Sequence, residues 1–446
     1  MKKFVTTIKD IFSIQELRTR ILYLLLFLAV FRLGSYIVLP GIDPSQLKGD
    51  SNTGILALLN QFLGGAFNRA SIFALGIMPY ISASIVIQLM TIAVPYFQKM
   101  QKEGESGRKR MNQITRVLTI LITFVQSSAY IAGTIPPEAI IIDKVFFTIS
   151  SMIILTSGTI FCMWLGEKIT EKGIGNGISM LIMIGIVSRF PGALVAEGAS
   201  RGTNGLLLFV LELVALFFVV MGVVLLTQAV RRVPVQYAKQ VVGASNSSRK
   251  NAEVSSQRSF LPLRVNSAGV MPIIFAQSLM FLPSLLASLF TESSDAAQWI
   301  STNFADFTSV VYNISFALMI ILFTFFYTAI TVNPTQIADD MKRNNGFVPG
   351  VLPGEPTSNL ISDIIDRITL PGAVFLALVA IMPAFAHKAG VSLEFSQFYG
   401  GTSLLIMVGV ILDTLQQVDS YLLMQRYESM MNSDNPTGKS RVAVAS

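Results

Sequence analysis

Few side chains in this sequence could do chemistry, and none of them stand together. There is one histidine, His387, and one cysteine, Cys162, each in or beside an apolar run. A metal ion needs several imidazole, thiolate or carboxylate ligands at matched spacing, and no such cluster is written here. Neither a Gly-x-Ser-x-Gly nucleophile elbow nor the phosphate-loop pattern occurs, so the chain itself is not expected to hydrolyse ATP. Gly173-Ile174-Gly175-Asn176-Gly177 superficially suggests a phosphate-binding glycine loop. No strand precedes it and an apolar run follows, so it reads as a tight turn. The expectation is no catalytic residue, no cofactor site and no metal site. Charges well inside apolar runs are limited to Arg32, Glu212 and Asp413, with Asp419 nearer an end. A proton- or ion-coupled transporter pairs such charges near the bilayer midplane. Here Arg32 and Asp413 read as a pair that locks two helices, and Glu212 as a group wetted about two turns in from an end.

The elements that must hold these residues are membrane spans. The chain is 52% hydrophobic and only 13% charged, with a mean hydropathy of +0.61. That charge is about half of what a soluble domain carries. A span needs roughly 20 apolar residues as helix. Ten runs qualify: 21–40, 71–95, 114–135, 145–166, 176–195, 206–230, 268–290, 310–332, 369–386 and 403–424. Pro371 and Pro383 bracket the ninth. Residues 54–65 form a shorter apolar run ending at Gly64-Gly65. It is too short to cross, and reads either as a re-entrant segment dipping into a funnel or as an amphipathic helix in the headgroup plane. Residues 1–20 mix charge with Phe4, Ile8, Ile11 and Phe12 on one helical face, an amphipathic surface segment and not a signal peptide.

Charge asymmetry sets the orientation. Of 33 Lys and Arg residues, 26 fall on the side that holds both termini and the loops 96–116, 167–175, 231–267 and 333–368. The other side has Lys48, Arg69, Lys144, Arg189, Arg201 and Lys388. Both termini are thus expected in the cytoplasm. Five spans per half is an odd number, so repeated halves must be inverted, with a functional path at their interface. The loop 231–267 carries Arg231, Arg232, Lys239, Arg249, Lys250, Arg258 and Arg264 against Glu253 alone. The loop 333–368 carries Lys342 and Arg343 beside the turn signal Asn344-Asn345-Gly346. Both read as cytoplasmic fingers suited to RNA or an acidic protein.

In order along the chain stand Val30-Phe-Arg-Leu-Gly34, Arg69-Ala-Ser-Ile-Phe-Ala-Leu-Gly-Ile-Met-Pro-Tyr-Ile-Ser-Ala-Ser84, Lys102-Glu-Gly-Glu-Ser-Gly107, Trp164-Leu-Gly-Glu167, Gly173-Ile-Gly-Asn-Gly-Ile-Ser179, Leu261-Pro-Leu-Arg-Val-Asn266, Phe326-Tyr-Thr-Ala329 and Gly400-Gly-Thr-Ser-Leu-Leu405. From about Arg20 to Glu428 the chain resembles the SecY family, the central subunits of bacterial protein-conducting channels.

The resemblance implies an all-α polytopic membrane protein of ten transmembrane helices, in two inverted five-helix halves around an hourglass pore with a re-entrant plug helix. The halves would be 21–200 and 201–428, with 429–446 a flexible cytoplasmic tail. The plug would lie near 54–68, with Leu56, Leu59, Asn60, Phe62, Leu63, Gly64 and Gly65. A pore ring would be formed by Ile77, Ile81, Ile178, Ile182, Ile274 and Ile406. The spacing adds physical support, because 77/81 and 178/182 are each one helical turn apart. A lateral-gate polar cluster would fall on Ser82, Gln126 and Asn266. Docking residues would be Arg231, Arg232, Lys239, Arg249, Lys250, Arg258, Lys342 and Arg343. The implied partners are SecE-like and SecG-like small membrane subunits, the SecA motor ATPase, the ribosome through protein and rRNA at its exit tunnel, unfolded substrate polypeptides with their signal sequences, and the lipid bilayer. The implied location is the bacterial plasma membrane. One departure stands at the finger tip, where Leu352 occupies a position that is typically arginine in the family. The competing readings are an inverted-repeat transporter of a small solute, which needs charged midplane residues, and an intramembrane enzyme, which needs a catalytic set.

Overall fold

The computed structural model describes residues 14–46, 63–202, 205–237, 258–277, 279–280, 303–304 and 308–433. The helices, in chain order, are α1 Gln15–Gly34, α2 Met78–Ala93, α3 Pro95–Lys102, α4 Glu105–Thr134, α5 Lys144–Lys172, α6 Gly177–Arg201, α7 Leu206–Gln228, α8 Val310–Thr331, α9 Pro334–Arg343, α10 Glu355–Lys388, α11 Leu393–Ser396 and α12 Gly401–Ser433. Residues 271–277 are also helical. Among the described residues seven helices are long and apolar enough to cross a membrane, namely α4 to α8, α10 and α12. The pair α2 and α3 qualifies only jointly, across a 100° bend. Pro95 explains the bend: it pushes Val94 into extended backbone, φ −116°, ψ 118°, and starts a new helix behind it.

Two expected spans are shifted. Hydropathy places the first over 21–40, but its helix runs from Gln15 to Gly34. The polar-rich residues 15–20 continue the helix outside the apolar run, with Arg20 paired to Glu16 at 3.0 Å. The second apolar run is 71–95, yet residues 71–77 are turns and helix begins only at Met78. The seventh expected span, 268–290, lies partly outside the described residues, as do 1–13 and 434–446. Pro371 and Pro383 do not bracket the ninth span; both sit within the 34-residue α10.

The chain divides into two compact units, one of Met1–Asn52, Leu59–Arg189 and Val410–Ser446, the other of Thr53–Leu58 and Phe190–Gly409. In the first unit, the irregular segment 63–77 is packed into protein. Leu63, Ala66, Phe67, Ala70, Ala74 and Leu75 form one buried cluster with Tyr130, Ile131 and Ile135, at the end of α4, and Phe147 and Leu155 of α5. Several of its backbone groups are satisfied without a helix. Ala66, Ala70, Ala74 and Gly76 donate to carbonyls three residues back, while Ile72 donates to Ile37 and Leu39 to Ala70, both at 2.9 Å. The Tyr130 hydroxyl donates to the Phe67 carbonyl at 2.6 Å. Ala70 is held at φ +47°, a strained setting for a residue with a Cβ, by those contacts on either side.

The second unit carries a three-stranded antiparallel sheet, β2-β1-β3, an addition to the all-helical plan. Its strands are β1 Val230–Tyr237, β2 Arg258–Arg264 and β3 Gly346–Phe347. Prolines at 234 and 262 disguise the hairpin in the sequence, and the register shows why they are harmless. Val265 donates to Ala229 at 3.0 Å just beyond the ladder, so the pairs in step with it, Arg231–Leu263, Val233–Leu261 and Val235–Ser259, are the hydrogen-bonded ones. Arg232–Pro262 and Pro234–Phe260 fall between them, so each proline turns its missing donor away from the ladder. Val233, Val235 and Leu263 face inward onto Met341, Val348, Ile361 and Ile365, which ties both basic loops into one body.

The same unit holds an ion cluster. Arg201, at the end of α6, donates its Nε to Glu197 at 2.9 Å and its Nη2 to Glu212 of α7 and to the Gly390 carbonyl. Glu197 accepts from the Ser392 amide at 3.0 Å, and the Tyr399 hydroxyl donates to the Glu212 carbonyl at 2.6 Å. Glu212 is therefore not a wetted group: it is buried and paired. Removing the cation from two buried carboxylates costs about 3–5 kcal/mol. Arg201→Ala is expected to lower the melting temperature of the detergent-solubilised protein by several degrees, with Arg201→Lys falling between. A melting curve unchanged by Arg201→Ala would show that the cluster contributes nothing to stability.

Candidate functional site

The six isoleucines divide between the units. In the first, Ile77 is the last residue of the irregular segment and caps α2; it is 4% exposed. The Ile81 amide donates to the Ile77 carbonyl at 3.1 Å, which places Ile81 one turn on, half-buried. Ile178 and Ile182 stand one turn apart at the start of α6, the first half-buried and the second buried. Their turn is set by Gly173-Ile174-Gly175-Asn176-Gly177. Gly175 sits at φ +81° and donates its amide to Gln417 of α12 at 2.7 Å, while Asn176 caps α6 by accepting from Ile178 at 3.1 Å. The glycine run is thus a turn and a helix start, in agreement with its sequence pattern. Gly166 of α5 lets Ile178 approach, because a Cβ there would lie 3.2 Å from Ile178 Cγ1. In the second unit, Ile274 is half-buried in the helical stretch 271–277 and Ile406 is 4% exposed on α12.

Of the expected polar cluster, Ser82 and Gln126 belong to the first unit, on α2 and α4, which pack along one another. Both are half-buried, and the Ser82 hydroxyl donates to Met78 on its own helix at 3.2 Å. Asn266 belongs to the second unit, just past β2, and its Oδ1 is buried without a partner among the described residues. Of the expected plug residues, Leu63, Gly64 and Gly65 are buried at the head of the irregular segment. Leu56, Leu59, Asn60 and Phe62 lie outside the described residues.

Of the basic docking residues, Arg231 and Arg232 are exposed on β1, Arg258 opens β2, and Lys342 and Arg343 are exposed in the last turn of α9. Lys239, Arg249 and Lys250 lie outside the described residues. Leu352, in the same 333–368 loop as Lys342 and Arg343, is 74% exposed.

Of the charges that a transporter would use, Glu212 is paired and Arg32 is stacked. Arg32 and Asp413 form no ion pair: Asp413 is exposed, whereas Arg32 turns to the Tyr36 ring, 5.6 Å from its centroid. Sequence reasoning pairs them because they are opposite charges in apolar runs, a pattern that does not say which neighbour each side chain meets. It also misses the companion of Arg32. Arg69 lies 4.4 Å over the same Tyr36 ring, a contact that no periodicity announces. Among the described residues no group of His, Cys, Asp and Glu is arranged to hold a metal.

The SecY family model matches residues 71–415. The protein translocase subunit SecY of Chlamydia muridarum is 38% identical, with 98% of this chain and 100% of that one covered. The protein of the same description from Halalkalibacterium halodurans is 40% identical over 95% of this chain and 99% of its own. Among solved structures, one described as a protein conducting channel superposes with a TM-score of 0.60 at 16% identity, covering 90% of this chain and 91% of that one. Sec61 in the canine ribosome-channel complex from the endoplasmic reticulum gives 0.57 at 17% identity, again with 90% and 91% covered.

Proposed function

Because the chain belongs to the SecY family, we propose that it works by a sealed pore that yields to an unfolded polypeptide. It is a multi-pass membrane protein and the channel subunit of a protein translocase. The near-full-length identity to SecY relatives carries this reading.

The seal is a collar of Ile77, Ile81, Ile178, Ile182, Ile274 and Ile406. Apolar side chains around a narrow neck disfavour a water column and block ions by dewetting. A sliding polypeptide meets no binding pocket there, so its side-chain chemistry does not matter. The segment 54–68 plugs the neck at rest. Ser82, Gln126 and Asn266 line a seam that opens sideways into lipid, where helix pairs gain no hydrophobic stabilisation and polar groups weaken closure. A signal helix can then replace one wall with another.

The chain supplies no catalysis. Energy comes from the SecA motor ATPase, from the ribosome or from the proton-motive force. A SecE-like subunit clamps the halves and a SecG-like one attaches. The solved neighbour bound in a ribosome-channel complex supports the ribosome as partner. Arg231, Arg232, Lys342 and Arg343 are exposed on the body that joins both basic loops, the surface suited to rRNA or an acidic face. The location is the bacterial plasma membrane with both termini cytoplasmic, the orientation that the Lys and Arg asymmetry favours.

Ile77→Ser with Ile178→Ser is expected to raise resting ion conductance of the reconstituted channel in planar bilayers; a conductance equal to wild type would count against the collar. Reversing Arg231, Arg232, Lys342 and Arg343 to Glu is expected to weaken ribosome binding by at least about tenfold at low salt, and by less as salt screens the charges. Unchanged affinity and salt slope would mean that these residues only orient the chain.

A further inference from the structure

In the turn between α5 and α6, the amides of Gly175, Gly177, Ile178 and Ser179 donate to side chains. The Gly177 amide donates to the Thr170 hydroxyl of α5 at 2.9 Å, and Asn176 Oδ1 accepts from Ile178 and Ser179 at 3.1 and 3.4 Å. Gly175 is buried, and its amide donates to Gln417 Oε1 of α12 at 2.7 Å. The Thr170 hydroxyl in turn donates to the Gly166 carbonyl at 2.9 Å. Gly177 packs against that same carbonyl, and a Cβ there would strike it. Further contacts bring α1 and α12 to the turn. A Cβ on Gly175, at φ +81°, would lie 3.3 Å from Thr414 Oγ1, one turn before Gln417 on α12. Arg20 of α1 donates to the Gly173 carbonyl at 3.4 Å and lies 5.2 Å over the Tyr421 ring of α12. Ile174 is buried with Leu17 of α1 and Val418 of α12. All of these residues belong to the first unit.

Ile178 directly follows Gly177, and Ile182 stands one turn further along α6. Their places depend on how the first turn of α6 is held. Asn176 holds it from within, whereas Thr170 reaches in from α5 and Gln417 from α12, 242 residues beyond Gly175. We propose that Thr170 and Gln417 are positioning residues for the pore: they fix the start of α6 against α5 and α12, and so set where Ile178 and Ile182 stand in the collar. The proposal rests on the collar reading of those two isoleucines. A buried amide without an acceptor is costly, so a turn that loses one shifts toward another acceptor or toward water. The isoleucine next in the chain moves with it.

The test reads resting ion conductance of the reconstituted channel in planar bilayers, beside the melting temperature in detergent. Gln417→Leu keeps the bulk and removes the acceptor. It is expected to raise conductance about tenfold, the scale of one buried amide left without a partner. Gln417→Glu keeps a side-chain oxygen of the same reach and is expected to stay near wild type. Thr170→Val is expected to leak, and Thr170→Ser, which retains the hydroxyl, to stay closed. General loss of stability does not give this pattern: Arg201→Ala, which acts on a separate cluster, is expected to lower the melting temperature and leave conductance at the wild-type level. Wild-type conductance in Gln417→Leu or in Thr170→Val overturns the positioning role. So does a Gln417→Glu or an Arg201→Ala channel as leaky as Gln417→Leu. Ile178→Ser in the same assay separates the two claims. If it leaks while Gln417→Leu and Thr170→Val do not, only the positioning role fails; if it does not leak, the collar reading fails and the positioning role with it.

Discussion

In a bilayer every peptide group must find its partner inside the protein, because the solvent outside offers none. The rest of this structure is arranged around that constraint. Most of the chain meets it with helices, which are self-sufficient and need only an apolar surface toward lipid. Residues 63–77 meet it differently. They are turns, and they persist because they are buried against α4 and α5, bridged to the 37–39 backbone, and capped by the Tyr130 hydroxyl. Non-helical backbone at membrane depth is tolerated only where protein or a wet cavity covers it. The irregular segment therefore marks where the first unit concentrates its packing, and Ile77 stands at its end.

The same constraint explains where the charges are. A cation or carboxylate among apolar helices must be paired, stacked or hydrated. Glu197 and Glu212 are paired through Arg201, while Arg32 and Arg69 are stacked on Tyr36. These charges are occupied in holding loops and helix ends. An apolar neck, as proposed for the six isoleucines, would exclude ions without binding the chain that passes it. Exposed cations stand on the sheet and on α9, where a large partner can be met in water.

Much of this is legible in the sequence, for physical reasons that can be named. Spans announce themselves because about 20 apolar residues in a row have no other use, and the turn at Gly173 to Gly177 is written in glycines. The first span is shifted because helix propensity carries α1 back to Gln15, past the point where hydropathy stops. The second is shifted because an apolar run does not reveal whether it is helix or buried turn, and residues 71–77 are the latter. The sheet is hidden by Pro234 and Pro262, which break strands unless they fall on the non-bonded pairs, and register is a tertiary fact. The Arg32–Asp413 pairing fails because Arg32 meets the Tyr36 ring and Asp413 is exposed. The Arg69–Tyr36 contact joins residues far apart in the sequence, which local patterns cannot connect.

The central claim is a greasy collar that lines the path of the polypeptide. The most direct measurement places single cysteines at 77, 178 and 406 and asks whether each crosslinks to a secretory chain stalled in transit, with a cysteine at 207 on the exposed face of α7 as comparison. The collar predicts crosslinks from all three of its positions to the same short stretch of the stalled chain and none from 207. Crosslinks from 207 with none from the three would contradict it.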